Sequence, residues 1–197
     1  MPQITEYDKS QLPKNLEIAW SYESELPETW VEMVPEHIKS ITPKRVREYA
    51  ASRKALATLL QTEKYEDLEI ENNLHLADSP KTKVSLSHTR GISAAVISST
   101  HTSVGIDVEF ADRAFKDEVT KFFKLEQDVA MPTLELWSIK EAAFKAFEPL
   151  KKYKAIKETL VLKDLIVTDK HIIFNQEVVA SWNCQKHDGL ITAVAWI

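Results

Sequence analysis

An α+β fold, with helices packed on mainly antiparallel sheets, is what the order of elements along this chain predicts. Two observations lead there. Strand, helix and strands follow one another in the first half, and strand, helices and strands in the second. The division falls near residues 100–103, giving halves of 1–102 and 103–197. No close sequence repeat relates the two, so the division rests on element order. At 197 residues the chain suffices for one large domain or two small ones with a real core.

Residues 15–22 (NLEIAWSY) read as the first strand. Residues 35–61 read as helix, with Pro43 marking a break or restart. Residues 84–88 and 92–99 read as two strands joined through Arg90 and Gly91, and residues 104–110 as a third. Residues 116–129 look helical, and residues 131–150 give the strongest helical pattern, bounded by Pro132 and Pro149. Three strand-like runs close the chain: ETLVLKDLIVT, HIIFNQEVVASWNCQ and GLITAVAWI.

Composition narrows the function classes. Hydrophobic residues make up 44% and charged residues 28%, with a net charge of −5. That charge disfavours non-specific nucleic-acid binding. The single cysteine, Cys184, has no internal disulfide partner, which suits a reducing cytosol. No Cys/His cluster has zinc spacing, and no stretch approaches the length of a membrane span. The expectation is a cytoplasmic protein with neither nucleic-acid nor membrane partners. With only Gly91, Gly105 and Gly189, neither a P-loop nor a dinucleotide fingerprint can be written. Bound phosphates must then be held by side chains.

The strand VGIDVEF carries the first chemical signal. Val104, Ile106, Val108 and Phe110 alternate with Gly105, Asp107 and Glu109. Two acids share one face about 7 Å apart. They are either the wet face of a half-buried strand or oxygen ligands for a divalent cation, with glycine leaving room for a bulky ligand.

On the strongest helix, Leu136, Ile139, Ala143, Ala146, Phe147 and Leu150 form an apolar arc that Trp137 and Phe144 extend. Lys140 falls inside that arc and must snorkel to water or meet an anion. Glu141 and Lys145 are either an i,i+4 surface pair or further parts of the site. Three carboxylates and two ammonium groups are the inventory of phosphoryl-type transfer. Upstream, VSLSHT puts Val84, Leu86 and His88 on one face of a strand end. Arg45 and Arg53, two helical turns apart, read as a solvated basic face or a two-point polyphosphate clamp.

These residues resemble a known family. VGIDVE (104–109) and WSIKEAAFKA (137–146) resemble the two signature motifs of the 4′-phosphopantetheinyl transferases. SLSHT (85–89) resembles that family's Ser-His motif, and RVREYAASRKAL (45–56) the arginine-containing helix of the enterobactin-synthase-component-D-like members. The resemblance covers roughly residues 40 to 150. It implies a single-chain pseudo-dimer of two similar α/β halves with the active site between them, acting as a monomer. It implies transfer of the phosphopantetheine arm of coenzyme A to a serine of an apo acyl or peptidyl carrier protein, releasing adenosine 3′,5′-bisphosphate. In that reading Asp107, Glu109 and Glu141 hold Mg²⁺. Glu141, directly or through water, is the base for the carrier serine. Lys140 and Lys145 contact phosphates, Lys145 also assisting the leaving group. Ser87 and His88 meet the nucleotide at its 3′-phosphate, and Arg45 and Arg53 bind phosphate or adenine.

Two departures stand out. The loop NNLHLADSPKTK is short, leaving open which of Lys81 and Lys83 approaches coenzyme A, and FEPLKKYKAIKETL lacks the glycine many members carry. The segment FKDEVTKFFKLEQ, with Phe115, Lys121, Phe122, Phe123 and Lys124, is the candidate carrier-docking patch or part of the core. A non-catalytic coenzyme A or carrier-binding module on the same fold is the alternative. A metal-dependent phosphohydrolase of unrelated fold is the third reading.

Overall fold

The computed structural model describes residues 7–151 and 159–197. Strand β1 (Leu16–Tyr22) leads into two short helices, α1 (Glu28–Glu32) and α2 (Glu36–Lys39), and then into the long helix α3 (Pro43–Leu60). The restart at Pro43 has a local cause. Thr42 caps the helix by accepting the Arg45 backbone N–H at 3.1 Å, and proline tolerates a first turn that needs no donor. Strands β2 (Ile70–Glu71), β3 (His75–Leu76), β4 (Lys83–Thr89) and β5 (Ile92–Ser98) join β1 in an antiparallel sheet ordered β1-β5-β4-β3-β2.

The chain then passes to a second antiparallel sheet. Strand β6 (Val104–Phe110) starts it, followed by the short α4 (Asp117–Thr120) and the long α5 (Thr133–Phe147). Strands β7 (Ile166–Val167), β8 (His171–Phe174), β9 (Glu177–His187) and β10 (Leu190–Trp196) complete the order β6-β10-β9-β8-β7. The fold is α+β with two five-stranded antiparallel sheets.

Each sheet carries one long helix. Ala50, Ala55 and Leu56 of α3 cluster with Ala95 and Ile97 of β5. Ile139, Ala142 and Ala146 of α5 cluster with Ala193 and Ala195 of β10. Between the sheets, Ile18, Ile92, Ala94 and Val96 meet Ile106, Val108, Leu190 and Val194. Burial of these apolar faces removes surface from water at about 25 cal/mol per Å², the main drive for assembling the layers.

Three expectations change on this scaffold. Residues 116–129 hold only the four-residue α4, because tertiary contacts claim the rest. The Asp128 carboxylate accepts the backbone N–H groups of Leu125 (2.7 Å) and Val167 (2.9 Å), pinning the segment in turns. The run ETLVLKDLIVT gives only the two residues of β7, after a 3₁₀ turn over Leu162–Asp164 held by Asp164 accepting the Val161 N–H at 2.8 Å; its first residue, 158, lies outside the described residues. HIIFNQEVVASWNCQ is two strands, since Asn175 and Gln176 both take left-handed backbone (φ 50° and 67°), the geometry of a tight hairpin turn.

The acid-bearing face of β6 is not wet. Gly105, Asp107 and Glu109 are all buried, the last two only 5% and 9% exposed. Gly105 leaves no room for a ligand; it lets α5 approach. A Cβ there would lie 1.9 Å from the Ala142 carbonyl oxygen and 2.7 Å from the Ala146 nitrogen, both backbone atoms that cannot yield locally. Gly105→Ala should therefore cost about 3 kcal/mol or more, since helix and sheet must separate. Urea unfolding checks this, and a loss below 1 kcal/mol would mean that α5 shifts freely.

Candidate active site at the junction of the two sheets

Strand β6 is an edge of its sheet, so part of its backbone lacks ladder partners. Strand β4 supplies them with side chains. The hydroxyls of Ser85 and Ser87 accept the N–H groups of Ile106 and Val108, each at 3.3 Å. Further along, the Ser87 hydroxyl donates to Asp107 Oδ1 at 3.1 Å and the Thr89 hydroxyl to Glu109 Oε2 at 3.1 Å. Alternation along β4 aims Ser85, Ser87 and Thr89 at this seam and leaves Val84, Leu86 and His88 for the opposite face.

Lys145 closes the seam from α5. Its ammonium donates to Asp107 Oδ1 at 2.8 Å, to the Ile106 carbonyl at 3.0 Å and to the Ser87 hydroxyl at 3.1 Å. An i,i+4 surface pair with Glu141 is thus not its role. Asp107 Oδ2, also buried, has no hydrogen-bond partner among the described residues.

Above this floor opens a cleft of about 510 Å³. Ser87, Asp107 and Lys145 line it together with Arg45, Arg53 and His88, so six of the nine sequence-derived site residues share one cavity. Residues that the motifs did not flag join them. Tyr49 carries the Arg53 guanidinium 4.5 Å above its ring, and Asn73, with left-handed backbone (φ 53°), also lines the cleft. Tyr49 was legible as the helical neighbour of Arg45 and Arg53; Asn73 carried no signal beyond lying in the loop before β4.

Glu109, Glu141 and Lys140 lie off this cleft. Glu109 is committed to Thr89 and to an ion pair with Arg113, whose guanidinium rests over Phe115 and Trp137 at 4.9 and 5.2 Å. Arg113 follows Glu109 by four residues, the only hint of it in the sequence. Glu141 borders a second, more apolar groove of about 810 Å³ with Val119, Phe122, Trp137, Leu160 and Val161; Phe144 lines both cavities. Burial pushes the Glu141 carboxyl above its ordinary pKa, with the Asp107 charge adding to the rise and Lys145 and Arg113 opposing it.

Lys140 is sealed from solvent and lines neither of these two cavities. It meets an anion, but the protein's own: Asp128 Oδ2 at 2.8 Å, with a second hydrogen bond to the Phe123 carbonyl at 2.6 Å. Burial lowers its pKa and Asp128 pulls it back up. The assignment of Lys140 to substrate phosphate is therefore corrected to a buried clamp on the segment before α5. Asp128 lies twelve positions away on an irregular segment, so no spacing rule linked the two. The docking segment also splits: Phe122 is 67% exposed, whereas Phe123 is fully buried and packs on Phe115 and Trp137.

Among the described residues, no three histidine, cysteine or carboxylate side chains gather as a metal ion requires. No helix is long and apolar enough to cross a membrane. No protein-family model and no curated protein matches this chain.

Two outcomes follow from the buried charges. Lys140→Met should destabilise the protein by about 3–5 kcal/mol, because Asp128 is left buried without its counter-charge; urea titration reads this directly. Glu141→Gln should do the reverse. Its raised folded-state pKa means that folding favours the protonated acid, a contribution present below the unfolded pKa and lost as pH rises through the folded one. The glutamine variant should be more stable than wild type at pH 7, with the gap closing as pH falls through the raised folded-state pKa and gone below about 4. Melting temperatures across that range would refute it if the gap were flat.

Proposed function

We propose that this chain transfers the 4′-phosphopantetheine arm of coenzyme A to a serine of an apo acyl or peptidyl carrier protein, releasing adenosine 3′,5′-bisphosphate, on a pseudo-dimeric 4′-phosphopantetheinyl transferase fold. The supporting observation is the join in the cleft, where Lys145 bridges α5 to Asp107 and Ser87 while Arg45, Arg53 and His88 line the same cavity. Cations spread along a cleft match the charges spread along a nucleotide with a pyrophosphate and a third phosphate.

The donor set fits a hard cation in part. Asp107 Oδ2 is a buried carboxylate oxygen without a hydrogen-bond partner among the described residues, and Glu141 is desolvated within the field of Asp107. Asp107 and Glu141 are the residues that would hold Mg²⁺; Glu109, engaged by Arg113 and Thr89, joins only if Arg113 releases it. When bound, Mg²⁺ supplies charge neutralisation at the pyrophosphate.

The chain's own groups account for the remaining roles. The carrier serine oxygen bonds to the phosphorus bearing the pantetheine arm, and the bridging oxygen leaves with the bisphosphate. Glu141, whose raised pKa suits a proton acceptor, takes the serine proton directly or through water. Lys145 sits where negative charge grows on the departing oxygen. The carrier docks at the second groove, where exposed Phe122 offers an apolar anchor and Lys121 and Lys163 offer basic rims to an acidic helix. This chemistry belongs in the cytoplasm, with coenzyme A and apo carriers.

The test is mass spectrometry of a carrier protein after incubation with coenzyme A and Mg²⁺. The carrier should gain the phosphopantetheine mass, and Asp107→Asn should slow the gain about 100-fold or more. Binding of coenzyme A with no mass gain on any carrier would assign the fold to a binding module instead.

A further inference from the structure

His88 and Arg45 are arranged in a way that the phosphate-binding role alone does not explain. The Arg45 guanidinium lies 2.7 Å from His88 Nε2. Arginine can only donate, so Nε2 is the acceptor and the imidazole proton resides on Nδ1. That nitrogen faces Glu48 Oε1 at 3.6 Å. Glu48 is 9% exposed, does not line the cleft, and sits one helical turn from both Lys44 (3.6 Å) and Arg45 (3.5 Å). Behind the cleft wall there is thus a carboxylate, then a neutral imidazole, then the guanidinium that the imidazole accepts from.

In this state His88 turns a lone pair, not a proton, toward the region where a phosphate would arrive. A phosphate oxygen has lone pairs only, so the two would repel. For His88 to hold a phosphate, Arg45 must transfer its hydrogen bond to the ligand and Nε2 must gain a proton. The imidazolium then needs a counter-charge at Nδ1, and Glu48 is already there.

Resting on the transferase reading above, we infer that phosphate-monoester binding at Arg45 and His88 takes up one proton from solvent onto His88, with Glu48 as the positioning residue that fixes the imidazole tautomer and stabilises the imidazolium.

The charged groups around His88 support a neutral resting state. Burial lowers its pKa most; Arg45 and Lys44 from α3 and Lys145 from α5 lower it further, while Glu48 alone raises it. An arriving dianion reverses this balance, since it offsets three cations at once. Selectivity follows: a phosphate dianion recruits the proton, and a hydroxyl at the same position does not.

Calorimetry in two buffers of different ionisation enthalpy measures the protons taken up on binding. The probe is adenosine 3′,5′-bisphosphate at pH 7.5, with adenosine 5′-phosphate as the control that lacks the 3′-group. Wild type should take up about one proton with the bisphosphate and close to none with the control. His88→Gln should abolish the uptake. Glu48→Gln should reduce it and weaken the bisphosphate roughly tenfold to a hundredfold while leaving the control within about threefold. Glu48→Asp should recover part of both effects. Equal uptake in wild type and His88→Gln, unchanged behaviour in Glu48→Gln, or no bisphosphate binding at all would each overturn the inference. If the wild type modifies a carrier but shows no uptake, only the inference fails. If uptake is present and no carrier is modified, the transferase reading fails and the proton linkage stands.

Discussion

The seam between β4 and β6 is the constraint on which the other features depend. Two antiparallel sheets that pack by their apolar faces still leave an edge strand with unmet backbone donors, and a buried unmet donor costs about 1–3 kcal/mol. Here serine hydroxyls supply what a neighbouring strand would. Because a hydroxyl both accepts and donates, the serine that takes the Val108 N–H also orients Asp107. Backbone satisfaction and carboxylate placement are thus one interaction. Thr89, two residues along, orients Glu109 by donating to it.

Charge is distributed around that seam by partner choice. Asp107 pairs with Lys145, Glu109 with Arg113, Asp128 with Lys140, and Glu48 with the Lys44–Arg45–His88 group. Of these, only the Lys140–Asp128 pair is wholly enclosed; it is structural, because nothing mobile can reach it. Asp107–Lys145 and the Glu48 group border the cleft or its wall, where an incoming anion can compete for the cation, whereas Glu109–Arg113 lies off it. The basic character of the cleft therefore coexists with a net-negative chain.

Much of this was legible in the sequence, for identifiable reasons. Period-two alternation in VGIDVEF and period-3.6 spacing in residues 136–150 are local, so strand, helix and buried arc came through. Arg45, Ser87, His88, Asp107 and Lys145 were picked out by residue type and motif, and they do share a cavity. What failed to come through was tertiary. Lys140 was recognised as having either to snorkel to water or to meet an anion, but its partner sits on a segment whose helical pattern misled, since Asp128 caps turns instead of extending a helix. Gly105 looked like space for a ligand because a sequence cannot say which neighbour fills the gap that a missing side chain leaves. Glu48 carried no signal, because the imidazole beside it comes from a strand forty positions on.

The close approach at Gly105 also fixes where the chain can tolerate a change in length. The helix backbone at Ala142 and Ala146 is seated on the strand, and Lys145 lies between those two contact points in sequence. One residue inserted between Pro132 and Ala142 would turn everything after it by about 100° around the helix axis. The ammonium would then leave Asp107 even though every residue type in the motif were retained. A hairpin such as Asn175–Gln176, remote from the seam, imposes no such phase. The signature spacing in this chain is, in mechanical terms, the pitch of a screw whose thread is cut by a single glycine.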